Sequence, residues 1–152
     1  AAIAHKSGRQ VALSLSDPFC VGRHRAAFLD LVKGHVDILF ANEDEICALY
    51  ETESFDTAAR HTAQDTTFAA LTRSGLGSAV VHEGTFTKVD PVPTQVVDTT
   101  GAGDAYAAGF MAGLTAGRTL PECGRLASVA ASEIISHYGA RPLSNLWAGM
   151  GF

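Results

Sequence analysis

Asp98-Thr99-Thr100-Gly101-Ala102-Gly103-Asp104 (DTTGAGD) is the stretch on which the reading of this 152-residue chain turns. Gly101, Ala102 and Gly103 have little or no side chain, so consecutive backbone N–H groups stand open to a ligand. The small residues that follow, from Ala105-Tyr106-Ala107-Ala108-Gly109 to about Ala116, read as a helix whose positive dipole end adds to those N–H groups. Such a nest is a site for an anion, phosphate above all. Asp104 at the helix start has two readings. It is a first-turn charge that favours the dipole, or it is a base that takes a proton from a hydroxyl while the nest holds the group under attack. A dinucleotide fingerprint is the competing Gly-rich motif. It fails because the stretch lacks the third glycine, lies far from the N-terminus and has no acidic-ended strand about 20 residues later.

Working outward, apolar runs alternate with helical periodicity. Val11 to Ser16 is β-prone and ends in a turn at Asp17-Pro18, and Arg23 to Lys33 carries Ala27, Phe28, Leu31 and Val32 at helical spacing. Val36 to Ala41 is a second strand. Asn42 then opens a helix with Ile46, Leu49 and Tyr50 on one face, and Ser54 caps another from Phe55 to Gln64. Thr67 to Thr72 and Ser78 to His82 are strands around the loop Arg73–Gly77, with a short strand at Phe86 to Val89. A last helix runs from Pro121 to about His137, and Ala1 to Gly8 resembles a final helical turn closed by glycine. Strands alternating with helices imply a parallel sheet with helices on its faces, whose ligands bind beyond the carboxyl ends of the strands.

Composition narrows the class. With 47% hydrophobic and 18% charged residues, the chain suits one globular unit over residues 1–152. A net charge of -5 argues against nucleic acid or an anionic membrane as the main partner, and no apolar run approaches the roughly 18 residues of a membrane span. Cys20, Cys47 and Cys123 form no CxxC pair, which favours a cytoplasmic protein without a disulfide framework. Cys47 reads as a small core residue. The six histidines have no metal-like spacing and are assigned to surface or capping roles. Gly109, Gly113 and Gly117 predict close packing on the sheet, and Trp147 predicts packing of the tail. The chain begins at Ala1 without Met and reads as part of a longer protein.

DTTGAGD, with the helices after it and Gly139-Ala140-Arg141-Pro142, resembles the second signature of the PfkB, or ribokinase-like, carbohydrate kinases. The resemblance runs from about Val11 to Pro142. It implies a three-layer α/β/α fold with a mostly parallel sheet, of which this chain is the C-terminal, nucleotide-side half. Asn42-Glu43-Asp44-Glu45 resembles the family's N-x-x-E motif, in which Asn42 and Glu45 hold hydrated Mg²⁺ and nucleotide phosphates. On its own residues the motif is a capping box, and both roles can hold together. Thr72-Arg73-Ser74-Gly75-Leu76-Gly77 resembles the nucleotide loop, with Thr72, Ser74 and Gly77 facing phosphates and ribose, and Gly103 also touching the nucleotide.

The resemblance further implies ATP as phosphoryl donor and Asp104 as base. Gly101, Ala102, Gly103 and the Asp104 N–H stabilise the transferred group, and Gly101 and Asp104 also meet the acceptor. It implies potassium as a monovalent cation at Asp98, Thr100 and backbone near Gly139. Stretches such as VALSLSDPFCV (Val11–Val21) and Ile135–Pro142 are similar to the family's bacterial adenosine kinases, so a nucleoside is the expected acceptor and a sugar the alternative. Members of the family are much longer, and their sugar-binding motifs and lid strands match nothing here. Dimerisation through that lid is expected of the whole protein only. An inactive nucleotide-binding module is the reading from outside the enzyme class.

Overall fold

The computed structural model describes residues 1–146, so the packing expected of Trp147 lies outside the described residues. Along them run α1 (Ala2–Lys6), β1 (Ala12–Ser14), α2 (Pro18–Arg23), α3 (Arg25–Gly34), β2 (Ile38–Asn42), α4 (Glu43–Tyr50) and α5 (Phe55–Asp65). There follow β3 (Phe68–Thr72), β4 (Ser78–His82), β5 (Thr85–Val89), α6 (Ala102–Thr115) and α7 (Leu120–Ile134).

The sheet has the order β1-β2-β3-β4-β5. β1 and β2 pair in parallel, Ala12 opposite Ile38, and so do β2 and β3, Asn42 opposite Thr72. The links Arg73–Gly77 and Glu83-Gly84 are too short for a parallel crossover, so β4 runs antiparallel to both of its neighbours, β3 and β5. Glu83 and Gly84 both take positive φ, +48° and +75°, as a tight hairpin turn requires. The sheet is therefore mixed. Its parallel part is the βαβ region alone.

By proximity of its backbone the chain divides into two compact units, residues 1–73 with 79–87, and residues 74–78 with 88 onward. In the first, Leu39 and Ala41 of β2, Ala69 and Leu71 of β3 and Val81 of β4 share one sheet face. Val21, Val32, Ile46, Leu49, Phe55, Ala58 and Ala59 from α2 to α5 join them in one buried cluster. Full burial of a side chain such as Ile46 or Leu49, both 0% exposed, contributes about 1.5–3 kcal/mol. Cys47 packs at the edge of this cluster, and burial pushes its thiol pKa up.

One element departs from the turn expected at Asp17-Pro18. Asp17 Oδ1 accepts the Cys20 N–H at 2.8 Å, Pro18 fits the first helical position, and α2 forms.

In the second unit α6 and α7 pack on each other. A Cβ on Gly109 would lie 2.8 Å from Ala127 Cα, and one on Gly113 would lie 3.0 Å from Cys123 Sγ. The glycine spacing thus serves contact with α7 and not with the sheet, because two helix backbones approach only where one carries no side chain. Gly117 has a different task, ending α6 at φ +70°. α7 stops at Ile134, short of His137, and the Ile135 carbonyl accepts the Val97 N–H at 2.8 Å.

Candidate active site

In the first unit the expected residues gather at strand ends. Asn42 and Thr72 are the last residues of neighbouring parallel strands and stand opposite each other, at the carboxyl edge where α/β sheets bind ligands. Asn42 also caps α4. Its Oδ1 accepts the Glu45 N–H at 2.8 Å, and its own N–H donates to Glu45 Oε2 at 2.9 Å. Its Nδ2 donates to Glu45 Oε1, also at 2.9 Å. The capping box is complete, with a side-chain bond added. Glu45 is only 6% exposed, and its burial raises the carboxyl pKa against the opposing Asn42 N–H.

Both Glu45 oxygens are already engaged, each by one donor, and each keeps a lone pair. Hard oxygen donors in this state fit the waters of Mg²⁺ better than the bare ion. Beside them Arg73 Nη2 donates to Glu43 Oε1 at 2.9 Å, and the guanidinium lies 4.1 Å from the Phe55 ring centroid. Sequence reading passed over this anchor.

The second unit holds the rest. Ser74 takes φ +50° in a tight turn and is exposed, and its carbonyl accepts the Gly77 N–H at 3.1 Å. Gly77 is buried at φ +86°, and a Cβ there would run into the Val89 carbonyl. Its glycine is required by backbone crossing, whatever ligand the loop meets. Tyr106 of α6 donates its hydroxyl to Ser78 Oγ at 2.7 Å, and burial pushes the phenol pKa up to about 12.

Asp98, Thr100 and Gly139 are brought together. Asp98 Oδ1 accepts the Thr100 N–H at 2.9 Å and the Thr100 hydroxyl at 2.7 Å, and Oδ2 accepts the Gly139 N–H at 3.1 Å. The two bonds from Thr100 and the one from Gly139 hold the carboxyl below its ordinary pKa. Because the Thr100 hydroxyl donates inward, its lone pairs remain for another partner. A charged carboxylate with hydroxyl oxygen beside it is a donor set that fits a hard monovalent cation.

Gly101 precedes α6 at φ +81°, and no side chain caps the helix. A Cβ on Gly101 would sit 2.6 Å from Ala140 Cβ, so the loop after α7 occupies the space its missing side chain leaves. Ala102 differs from the expectation of four open donors: its N–H donates to the Thr99 carbonyl at 3.1 Å. The N–H groups of Gly103 and Asp104 make no hydrogen bond among the described residues. Gly103 and the Asp104 side chain are exposed, and a Cβ on Gly103 would meet nothing within 4 Å. The result is an open helix start, with free donors and a carboxylate at one point.

The chain is similar to known proteins along nearly its whole length. Residues 1–147 match the profile described as pfkB family carbohydrate kinase. A crystal structure of adenosine kinase from Sinorhizobium meliloti superposes with a TM-score of 0.92 at 52% identity, over 95% of this chain and 45% of that one. A probable sugar kinase from Rhizobium etli gives 0.93 at 44% identity, over 95% and 44%. Among curated proteins, a nucleoside kinase from Methanothermobacter thermautotrophicus is 34% identical over 114 residues, 74% of this chain and 36% of its own length. The chain spans less than half the length of the relatives it matches. The two crystal structures share its α/β fold, and the family profile covers nearly all of the chain: it belongs to the pfkB family of carbohydrate kinases.

Proposed function

We propose that this chain is the nucleotide-side, catalytic part of an ATP-dependent kinase that transfers the γ-phosphoryl group to a primary hydroxyl, first of all the 5′-hydroxyl of adenosine. The observation that carries the reading is the uncapped start of α6, where the Gly103 and Asp104 N–H groups have no partner among the described residues and lie beside the exposed Asp104 carboxylate. Free donors at a helix start bind phosphoryl oxygens, and they act most strongly as charge develops there. Asp104 takes the proton of the attacking hydroxyl. The N–H groups of Gly103 and Asp104 hold the transferred group in line with it. Gly101 orients those donors through its left-handed backbone, and Ala102, tied to Thr99, fixes the turn.

Thr72, Ser74 and Gly77 are assigned to the nucleotide, as is Asn42. Asn42 and Glu45 would hold Mg²⁺ through its waters, and the ion would supply neutralising charge to the nucleotide phosphates. Asp98, Thr100 and the Gly139 backbone would hold a potassium ion and so fix the α6 start. The acceptor is read from the 52% identity to an adenosine kinase, while the 44% identity to a probable sugar kinase favours ribose or fructose as the second reading. Dimerisation through lid strands belongs to the whole protein.

ADP release by the full-length kinase decides the matter when measured with adenosine, cytidine, ribose and fructose. Adenosine turning over at least tenfold faster than the sugars supports the first reading. The reverse order supports the second, and nucleotide binding without ADP release from any acceptor overturns both.

A further inference from the structure

Glu133 stands in the last turn of α7, where a negative charge opposes the helix dipole. Stability of the helix therefore does not explain it. Its contacts beyond the helix do. Oε1 accepts the N–H of Leu143 at 2.8 Å, the N–H of Ser144 at 3.0 Å and the Ser144 hydroxyl at 3.2 Å. Oε2 faces His137 Nε2 at 3.5 Å, and both atoms are buried with no hydrogen-bond partner. His137 Nδ1 lies 3.2 Å from the Tyr138 carbonyl. One carboxylate thus ties down the Leu143–Ser144 end of the loop by three hydrogen bonds and lies 3.5 Å from His137 at its start.

Between those ends lie the two residues that touch the start of α6. Gly139 gives its N–H to Asp98, and Ala140 fills the space beside Gly101. We propose that Glu133 is a positioning residue: it clamps the His137–Ser144 loop, keeps Gly139 on Asp98 and Ala140 against Gly101, and so sets the backbone that presents the Gly103 and Asp104 N–H groups. The clamp itself stands on the contacts above, and its consequence for ligands rests on the anion-site reading proposed for α6. Hydrogen bonds to a charged acceptor are among the stronger ones, so losing three at once frees the loop.

The test compares the parent chain with Glu133→Ala, Glu133→Gln and Glu122→Ala. Glu122 Oε2 accepts the Thr119 N–H at 2.8 Å at the far end of the same helix, which makes it the control for general loosening. Two readouts are taken by NMR: amide exchange at Gly139 and Leu143, and the shifts of the Gly103 and Asp104 amides on titration with inorganic phosphate. Glu133→Ala is expected to speed exchange at Gly139 by about tenfold or more while the α7 amides of Ala127 and Ala130 stay slow. It should weaken phosphate binding about five- to tenfold. Glu133→Gln keeps an oxygen acceptor and is expected to stay within about threefold of the parent.

Unchanged exchange at Gly139 in Glu133→Ala overturns the clamp, and so does an equal rise in Glu122→Ala. If phosphate moves neither the Gly103 nor the Asp104 amide of the parent, the anion-site reading falls, and exchange at Gly139 still decides the clamp. Should Glu133→Ala fail to fold, Leu143→Pro removes one donor without touching α7. A faster Gly139 amide is expected there too, and no change overturns the proposal.

Discussion

The two helix starts that carry the candidate chemistry are built in opposite ways. At α4 the Asn42–Glu45 box uses its own side chains to occupy the Asn42 and Glu45 N–H groups, and a third bond ties the two side chains together, all at 2.8 to 2.9 Å. At α6 Gly101 offers no side chain, and the Gly103 and Asp104 N–H groups have no partner among the described residues. The box occupies the third N–H of its helix, that of Glu45, whereas the equivalent N–H at α6, that of Asp104, stays open. An open start is incomplete until an anion arrives. The stabilisation a cap supplies, typically about 1 kcal/mol, is given up at α6 and recovered only on binding. The left-handed Gly101 and the loop leaning on it keep this costlier arrangement in place.

The sharpest way to break the comparison is at the open start. Asp104→Asn keeps the shape and the N–H donors but cannot take a proton. Turnover by the full-length kinase should fall by about 10²–10⁴-fold with nucleotide affinity nearly unchanged. Steady-state kinetics beside a binding titration check this, and turnover within threefold of the parent would remove Asp104 from the base role.

Next comes a pair of glycines two residues apart. Gly101→Ala forces a side chain into the left-handed region and against Ala140, so denaturant unfolding should show a loss of about 1–3 kcal/mol together with weaker phosphate binding. Gly103→Ala adds a Cβ in open space within a helix. Stability should hold or rise by up to about 1 kcal/mol, while phosphate affinity falls because the backbone is screened. Equal stability effects in the two variants would erase the distinction.

The smallest effect belongs to the capped start. Glu45→Gln can keep the reciprocal bond to the Asn42 N–H, so helix α4 should survive with a stability change within about 1 kcal/mol at neutral pH. The magnesium requirement of the full-length kinase should rise, since a negative charge is lost. A magnesium curve identical to the parent's would leave Asn42-Glu43-Asp44-Glu45 as a helix start only.

The same variant tests a pH dependence. The folded Glu45 carboxyl has a raised pKa, so its contribution is fully present below the unfolded value and is lost as pH rises through the folded one. Parent stability minus that of Glu45→Gln, read from unfolding curves between about pH 3.5 and 7, should decline as pH rises. Asp98 has the opposite sign. Its folded pKa is lowered, so its contribution is present above the unfolded value and is lost as pH falls through the folded one.

Local chemistry made much of this molecule legible before its fold was known. Short-range signals placed the starts of α4 and α5 at Asn42 and Ser54, as well as strand β4. DTTGAGD alone pointed to the family that the profile over residues 1–147 identifies. Even α2, read as a turn, carried its signal in an Asp17 cap followed by proline. Such features lie within three or four residues of one another, where backbone sterics and side-chain reach are set by the chain itself.

The remainder depended on segments far apart in sequence. That Gly109 and Gly113 face Ala127 and Cys123, and that Ala140 fills the space beside Gly101, are outcomes of packing. No local pattern announces them. Glu133 is the clearest case: on α7 it is only an acidic residue at the wrong end of a helix. Its partners lie 10 and 11 positions away, and the Asp98 contact it supports spans 41. The sequence by itself determined which donors and carboxylates exist and on which turns they ride. Only the tertiary structure decided which of them are already satisfied and which stay open, because a hydrogen-bond donor is free or spent according to what the rest of the chain brings within about 3 Å of it.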